Sequence, residues 1–197
     1  MSKEVQESWE RFLNPVALRT NLIVASIYLA AFEILNESIV ERIRDFFFRG
    51  FDEAGIQTAP EYRTGVLSKN RSPVYASLQW LKELGAIDDG DITFFDQAKK
   101  CRNTIAHEMT QMMSEGLPSD WPDCFEGMVS LLDKIEKWWI IYFEIPINPD
   151  FDGKEIDERE IVPGRIAGLR MMLDIALGSE EESRFYLGEF NKRFHEA

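Results

Sequence analysis

The sequence predicts an all-α protein: one helical bundle with a further pair of helices added at its C-terminal end. Three observations predict it. Apolar residues recur at spacings of three and four along nearly the whole chain, and no segment alternates convincingly as a strand does. Cap-like residues followed by proline, at Asn14-Pro15 and Ser72-Pro73, mark helix starts, and Gly50 and Gly85 mark stops. Finally, 197 residues with 45% hydrophobic and 12% aromatic content are enough for one core, rather few for two, and too apolar for a disordered chain.

Each element follows from this punctuation. A short helix covers about residues 3–13, and Asn14-Pro15 opens a second that runs from Val16 to about Arg49, with Gly50 as its stop. Its most apolar run, LIVASIYLAAFEIL (22–35), is interrupted by Glu33. It falls short of the roughly 20 apolar residues of a membrane span, so it reads as a buried helix, with no membrane expected. Residues 51–71 carry turn formers without a period and read as a loop. Ser72-Pro73 opens a helix to about Leu84, ended by Gly85. Asp91 or a neighbour starts the next, over 91–113. After a break at Leu117–Pro122, a long aromatic-rich helix extends to about Ile145; of its adjacent Trp138 and Trp139, one is expected in the core and the other free to face a partner. Residues 146–163 form an acidic, proline-bounded connection. Two last helices carry Ile166, Leu169, Leu173 and Leu177, and then Tyr186, Phe190 and Phe194. The expected organisation is a bundle over residues 1–149, with 150–197 as an acidic connection and helical extension packed on the same domain.

Charge narrows the function. A net charge of −13 argues against broad nonspecific binding to nucleic acid, which needs Lys and Arg on phosphates. The charge is uneven, however. Residues 63–102 carry seven basic against five acidic side chains, a net +2, which leaves −15 on the rest. Two cysteines and no secretory signal predict reduced thiols and a cytoplasmic protein.

That one basic-leaning region ends in CRNTIAHEM (101–109), which holds the only histidine in the body of the chain. On a helix, Phe94, Ala98, Cys101, Ile105, Met109 and Met112 form an apolar stripe. Asp96, Lys99, Asn103, His107 and Thr110 gather on the opposite side, with Asn103 and His107 neighbours on one ridge. Arg102 lies about 140° from His107, beside the stripe, and must bend to reach the ridge. One such helix is thin for catalysis. Two copies facing across a twofold axis pool two histidines and two arginines, so a catalytic role predicts a homodimer with a composite site. His107 then moves protons, Arg102 holds and neutralises a phosphate, and Asn103 orients either. The set suits RNA cleavage by the ribose 2′-hydroxyl, which needs no metal. A histidine on a polar helix face is also an ordinary solvated residue.

RNTIAH resembles the signature of the HEPN superfamily: arginine, a polar residue that is often asparagine, a short spacer, then histidine. Arg102, Asn103 and His107 match it, and the helix around NLIVASIYLAAFEIL is similar to the family's opening core helix. The resemblance covers residues 16–145. It implies an antiparallel helical bundle of the HEPN type, and a dimeric, metal-independent ribonuclease acting as a prokaryotic toxin or in antiviral defence, with RNA as substrate and an antitoxin protein as partner. It equally admits a silent module that binds RNA or protein. Toxins paired with a nucleotidyltransferase antitoxin often carry tyrosine two residues after the histidine; here that position is Met109, which puts that pairing in doubt.

Other signals are weaker. Lys99 and Lys100 are candidates for touching RNA phosphates, and Arg63, Lys69 and Arg71 for a substrate rim. Glu33 reads either as the polar edge of its helix or as a carboxylate supporting Arg102 or His107. His107-Glu108 begins like HExxH, but Gln111 stands where the second histidine belongs, so no metal and no cofactor is expected. Cys101 lies on the apolar stripe and reads as a core thiol.

Overall fold

The computed structural model describes residues 2–53 and 55–195; the side chains of Thr110, Met113 and His195 lie outside the described part, and with them the ridge position expected for Thr110. Among the described residues the chain is all-α apart from one small hairpin. Helix α1 (Lys3–Leu13) is capped by Ser2. Asn14 then caps α2 (Pro15–Phe46), its side chain accepting from the backbone of Val16 and Ala17 with proline at the first helical position. Helix α2 is long and apolar enough to cross a membrane by length and composition, yet half of its most apolar window is buried by the rest of the protein. Its inner face, Tyr28, Leu35, Ile39 and Ile43, is fully shielded from solvent.

The end of α2 departs from the expected pattern. The helix stops at Phe46, and a two-stranded antiparallel hairpin follows, β1 (Phe48–Asp52) and β2 (Gly55–Thr58). Gly50, expected to stop the helix, sits instead beside an irregularity in this ladder, at φ 149°. Residues 51–71 are thus not a plain loop: after the hairpin come a π-helical turn (Tyr62–Val66) and a 3-10 turn (Leu67–Lys69). The hairpin escapes the sequence pattern because it buries little. Phe48, Phe51 and Ile56 are all exposed, so no face imposes alternation.

Helix α3 (Pro73–Glu83) ends before Gly85, whose φ of 75° suits glycine, and α4 (Asp89–His107) begins two residues earlier than Asp91. Helices α5 (Met109–Glu115) and α6 (Trp121–Trp139) follow, and α6 runs on through a π-helical turn (Ile140–Glu144) into a single turn, α7 (Ile145–Ile147). The acidic connection leads to α8 (Gly164–Leu177) and α9 (Glu180–His195). Helix α2 packs against α3, α4, α6 and α8, and α4 packs against α6. Ile166 and Leu169 enter the core from α8, while α9 packs along α8.

Both Trp138 and Trp139 are buried, which corrects the expectation that one would face outward. Trp80 of α3 covers them, at 6.2 and 6.1 Å between ring centroids, and Phe143 closes the cluster. The pair does diverge around α6, but aromatic neighbours arrive from two directions.

Two features fix α4. The first is its capping box: Asp88 accepts from the Asp91 backbone at 3.1 Å, Asp91 accepts from the Asp88 backbone at 2.8 Å, and Lys134 of α6 reaches both carboxylates. The Asp91 amide, then Lys134, holds the Asp88 carboxyl below its usual range. A depressed carboxylate stabilises the fold above its unfolded value and loses that contribution as pH falls through the folded value. Asp88→Asn keeps the cap but not the charge. The gap in urea midpoint between wild type and this variant is therefore expected to narrow as pH falls from about 6 through and below the ordinary carboxylate range.

The second is the α4–α6 contact. A Cβ built on Gly127 falls 2.2 Å from Phe94 Cζ, so the Phe94 ring lies directly on the α6 backbone. Gly127→Ala gains helix propensity but drives a half-buried ring out of its seat. The overpacking is expected to win, lowering stability by about 1–2 kcal/mol in denaturant unfolding. Pairing it with Phe94→Leu should recover part of the loss.

Candidate functional site

Burial fixes how α4 is rotated. Phe95, Ala98, Cys101 and Ile105 face the core; Phe95, missing from the expected stripe, stacks on Phe32 with centroids 5.7 Å apart. Lys100, Asn103 and His107 are exposed as a result, and Asp96, Lys99 and Arg102 are half-buried along the same helix.

Arg102 bends as its position requires. Its guanidinium carbon lies 5.7 Å from the Phe32 ring centroid, Nη2 donates to Glu33 Oε1 at 2.9 Å, and Nη1 donates to Asn103 Oδ1 at 3.4 Å. The contact of Glu33 is therefore with Arg102, not His107. Arg102 Nε is buried without a partner. This arrangement seats a planar cation on an aromatic face and leaves part of its donor fork free.

His107 is the last residue of α4. The expected helix over 91–113 is divided: Glu108 leaves helical geometry (φ −107°, ψ 19°), and α5 starts at Met109. No glycine or proline marks this break. Helix α5 turns to pack on α1 and α2, a tertiary cause that no local residue announces. His107 thus stands exposed at the corner between α4 and α5, with no side-chain hydrogen bond or ion pair among the described residues. Met109 is half-buried.

One participant was invisible from the motif. Tyr75 of α3 donates its hydroxyl to Asp96, and Lys99 donates to the Tyr75 hydroxyl oxygen at 3.4 Å while lying 5.0 Å from the ring centroid. The Asp96 hydrogen bond, then burial, pushes the Tyr75 hydroxyl up to about 12, so it keeps its proton at neutral pH. Lys100 has no partner among the described residues. Of the candidate rim, Lys69 is paired with Glu83, while Arg63 and Arg71 are exposed.

Burial pushes the Cys101 thiol up and the Cys124 thiol to about 11, which leaves little thiolate for nucleophilic work. Among the described residues no group of three or more His, Cys, Asp or Glu is placed to hold a metal ion. Surface hollows occur away from the motif: one of about 650 Å³ along residues 155–159, and one of about 340 Å³ between Ser8, Trp9, Phe12 and Ser114.

No family model, curated protein or solved structure matches this chain.

Chemically, the assembled set offers one exposed imidazole, one amide, one seated guanidinium with spare donors, and two lysines without acidic partners. All five lie on a single rigid helix.

Proposed function

We propose that the chain is a metal-independent endoribonuclease of the HEPN type. It works in the cytoplasm as a homodimer, in a toxin–antitoxin or antiviral setting with an antitoxin protein as counterpart. The observation that carries this reading is the seating of Arg102: Phe32 and Glu33 hold its guanidinium against Asn103, on the helix that ends in an exposed His107. In the reaction the ribose 2′-hydroxyl attacks the adjacent phosphorus and the bond to the 5′ oxygen breaks. The products are a cyclic 2′,3′-phosphate and a 5′-hydroxyl. His107 handles the proton taken from the nucleophile or given to the leaving oxygen, Arg102 neutralises the phosphoryl oxygens, and Asn103 orients the phosphate.

A dimer is favoured by the shape of the site. The motif lies on an outward ridge, so a cleft that excludes water and supplies a second imidazole needs a facing copy. Cleavage of RNA in the presence of chelator, compared among wild type, His107→Ala and Arg102→Ala, tests the reading.

One observation favours a second reading, a catalytically silent HEPN-like module that binds RNA or a protein. Glu33 already occupies Arg102, in a chain of net charge −13. Folded wild type that forms a stable complex yet cuts nothing across a broad RNA panel selects it.

A further inference from the structure

The cluster of Tyr75, Asp96 and Lys99 has no part in the chemistry above, and its construction is unusual for a surface lysine. Three cations of this basic-leaning region pair with carboxylates, Lys69 with Glu83, Lys82 with Asp89 and Arg102 with Glu33, while Arg63, Arg71 and Lys100 are exposed. Lys99 belongs to neither group. It makes no ion pair among the described residues, and is held instead by a neutral hydroxyl and an aromatic face. The Asp96 carboxylate accepts the proton of that hydroxyl. The ammonium is thus drawn towards Tyr75 and still has two N–H donors to offer, so part of its rotamer freedom is spent before any ligand arrives.

Position gives the ligand. Lys99, Asn103 and His107 follow one another at four-residue intervals on one ridge. Lys99 therefore stands about 6 Å along the helix axis from Asn103 and about 12 Å from His107. A phosphate attacked beside His107 lies about 12 Å along the axis from Lys99, whereas a neighbouring phosphate of the same strand, running along the ridge past Arg102, comes within its reach.

Resting on the ribonuclease reading, we infer that Lys99 is a second phosphate-binding residue, which holds a phosphate flanking the scissile one in single-stranded RNA. Tyr75 and Asp96 are its positioning residues. Lys100, exposed beside it, adds charge without such fixing. This arrangement binds substrate and transition state alike, so it acts on KM rather than on kcat.

The test uses full-length protein and synthetic oligoribonucleotides. For a hexanucleotide, Lys99→Ala is expected to raise KM about tenfold with kcat within about twofold, and the KM penalty is expected to fall below about twofold for a dinucleotide, which carries one phosphate. Binding of uncut hexanucleotide to His107→Ala protein should lose about 0.7 from the slope of log K against log salt when Lys99→Gln is added, the share of one phosphate contact on a single strand. Tyr75→Phe keeps the ring and loses the hydroxyl, so it should move KM in the same direction by about threefold. Three results overturn the assignment: a penalty independent of oligonucleotide length, an unchanged salt slope, or a loss confined to kcat. Each can arise while wild type still cuts RNA, which separates this failure from that of the ribonuclease reading. Wild type that neither cuts nor binds RNA removes both.

Discussion

Replacing His107 with alanine is expected to lower RNA cleavage by about 10²–10⁴-fold, with chelator present throughout. The variant should fold normally, because His107 is exposed at the end of α4 and has no side-chain partner among the described residues. Loss of activity without loss of stability is therefore the informative pattern. On the proposed ribonuclease reading, Arg102→Ala should reduce kcat comparably, since it removes the cation proposed to neutralise the phosphoryl oxygens. Arg102→Lys should recover little: a lysine keeps the charge but cannot span Glu33 and a phosphate with one planar fork. A composite site adds a concentration test, with specific activity falling as the protein is diluted below its dimer dissociation constant. Equal cleavage by wild type and both alanine variants removes the site assignment, and loss of wild-type cleavage on chelation removes the metal-free mechanism.

The second large effect is structural. Glu136→Ala is expected to destabilise the fold by about 3 kcal/mol. The Glu136 side chain is nearly enclosed, with 5% of it exposed. It accepts from Ser38 at 2.6 Å, pairs with Arg42 of α2, and has Arg165 of α8 at 3.7 Å. Arg42 in turn lies 5.3 Å from the centroid of Trp139 and pairs with Glu144. Removing Glu136 strands a buried hydroxyl and leaves Arg42 beside the aromatic cluster with only its exposed partner. It also cuts a link between α8 and the bundle. Glu144→Ala is the control, because that carboxylate is 57% exposed and its loss should cost under about 1 kcal/mol. Denaturant midpoints distinguish the two. Equal shifts would mean that the buried network contributes no more than a surface pair. A difference of 2 kcal/mol or so is a large share of the total stability of a domain this size.

Glu136 also marks the limit of reading helices one at a time. It stands four residues after Leu132 and three before Trp139, at the edge of the apolar face, yet nothing nearby names the partners that its burial requires. Its partners come from residues 38, 42 and 165, which only the packing of three helices brings together. Tyr75 is the same case: a tyrosine in the first turn of a proline-started helix gives no hint of a lysine 24 residues later. By contrast, the contact between Glu33 and Arg102 had a legible clue. A carboxylate interrupting an apolar run needs a partner, and a half-exposed arginine beside an apolar stripe is a fitting one.

What the sequence determined by itself was local. The cap at Asn14, prolines at first helical positions, the glycine after α3 and the 3.6-residue rhythm set which segments are helical and most of the face that each turns inward. Those signals act within one helical turn, so they survive without knowledge of neighbours. Tertiary structure decided the rest: the corner at Glu108 that leaves His107 at a helix end, the hairpin that replaces the end of α2, and the burial of both tryptophans. Each is set by contacts between segments far apart in the chain. Their energies are comparable to local propensity and overrule it wherever the two disagree.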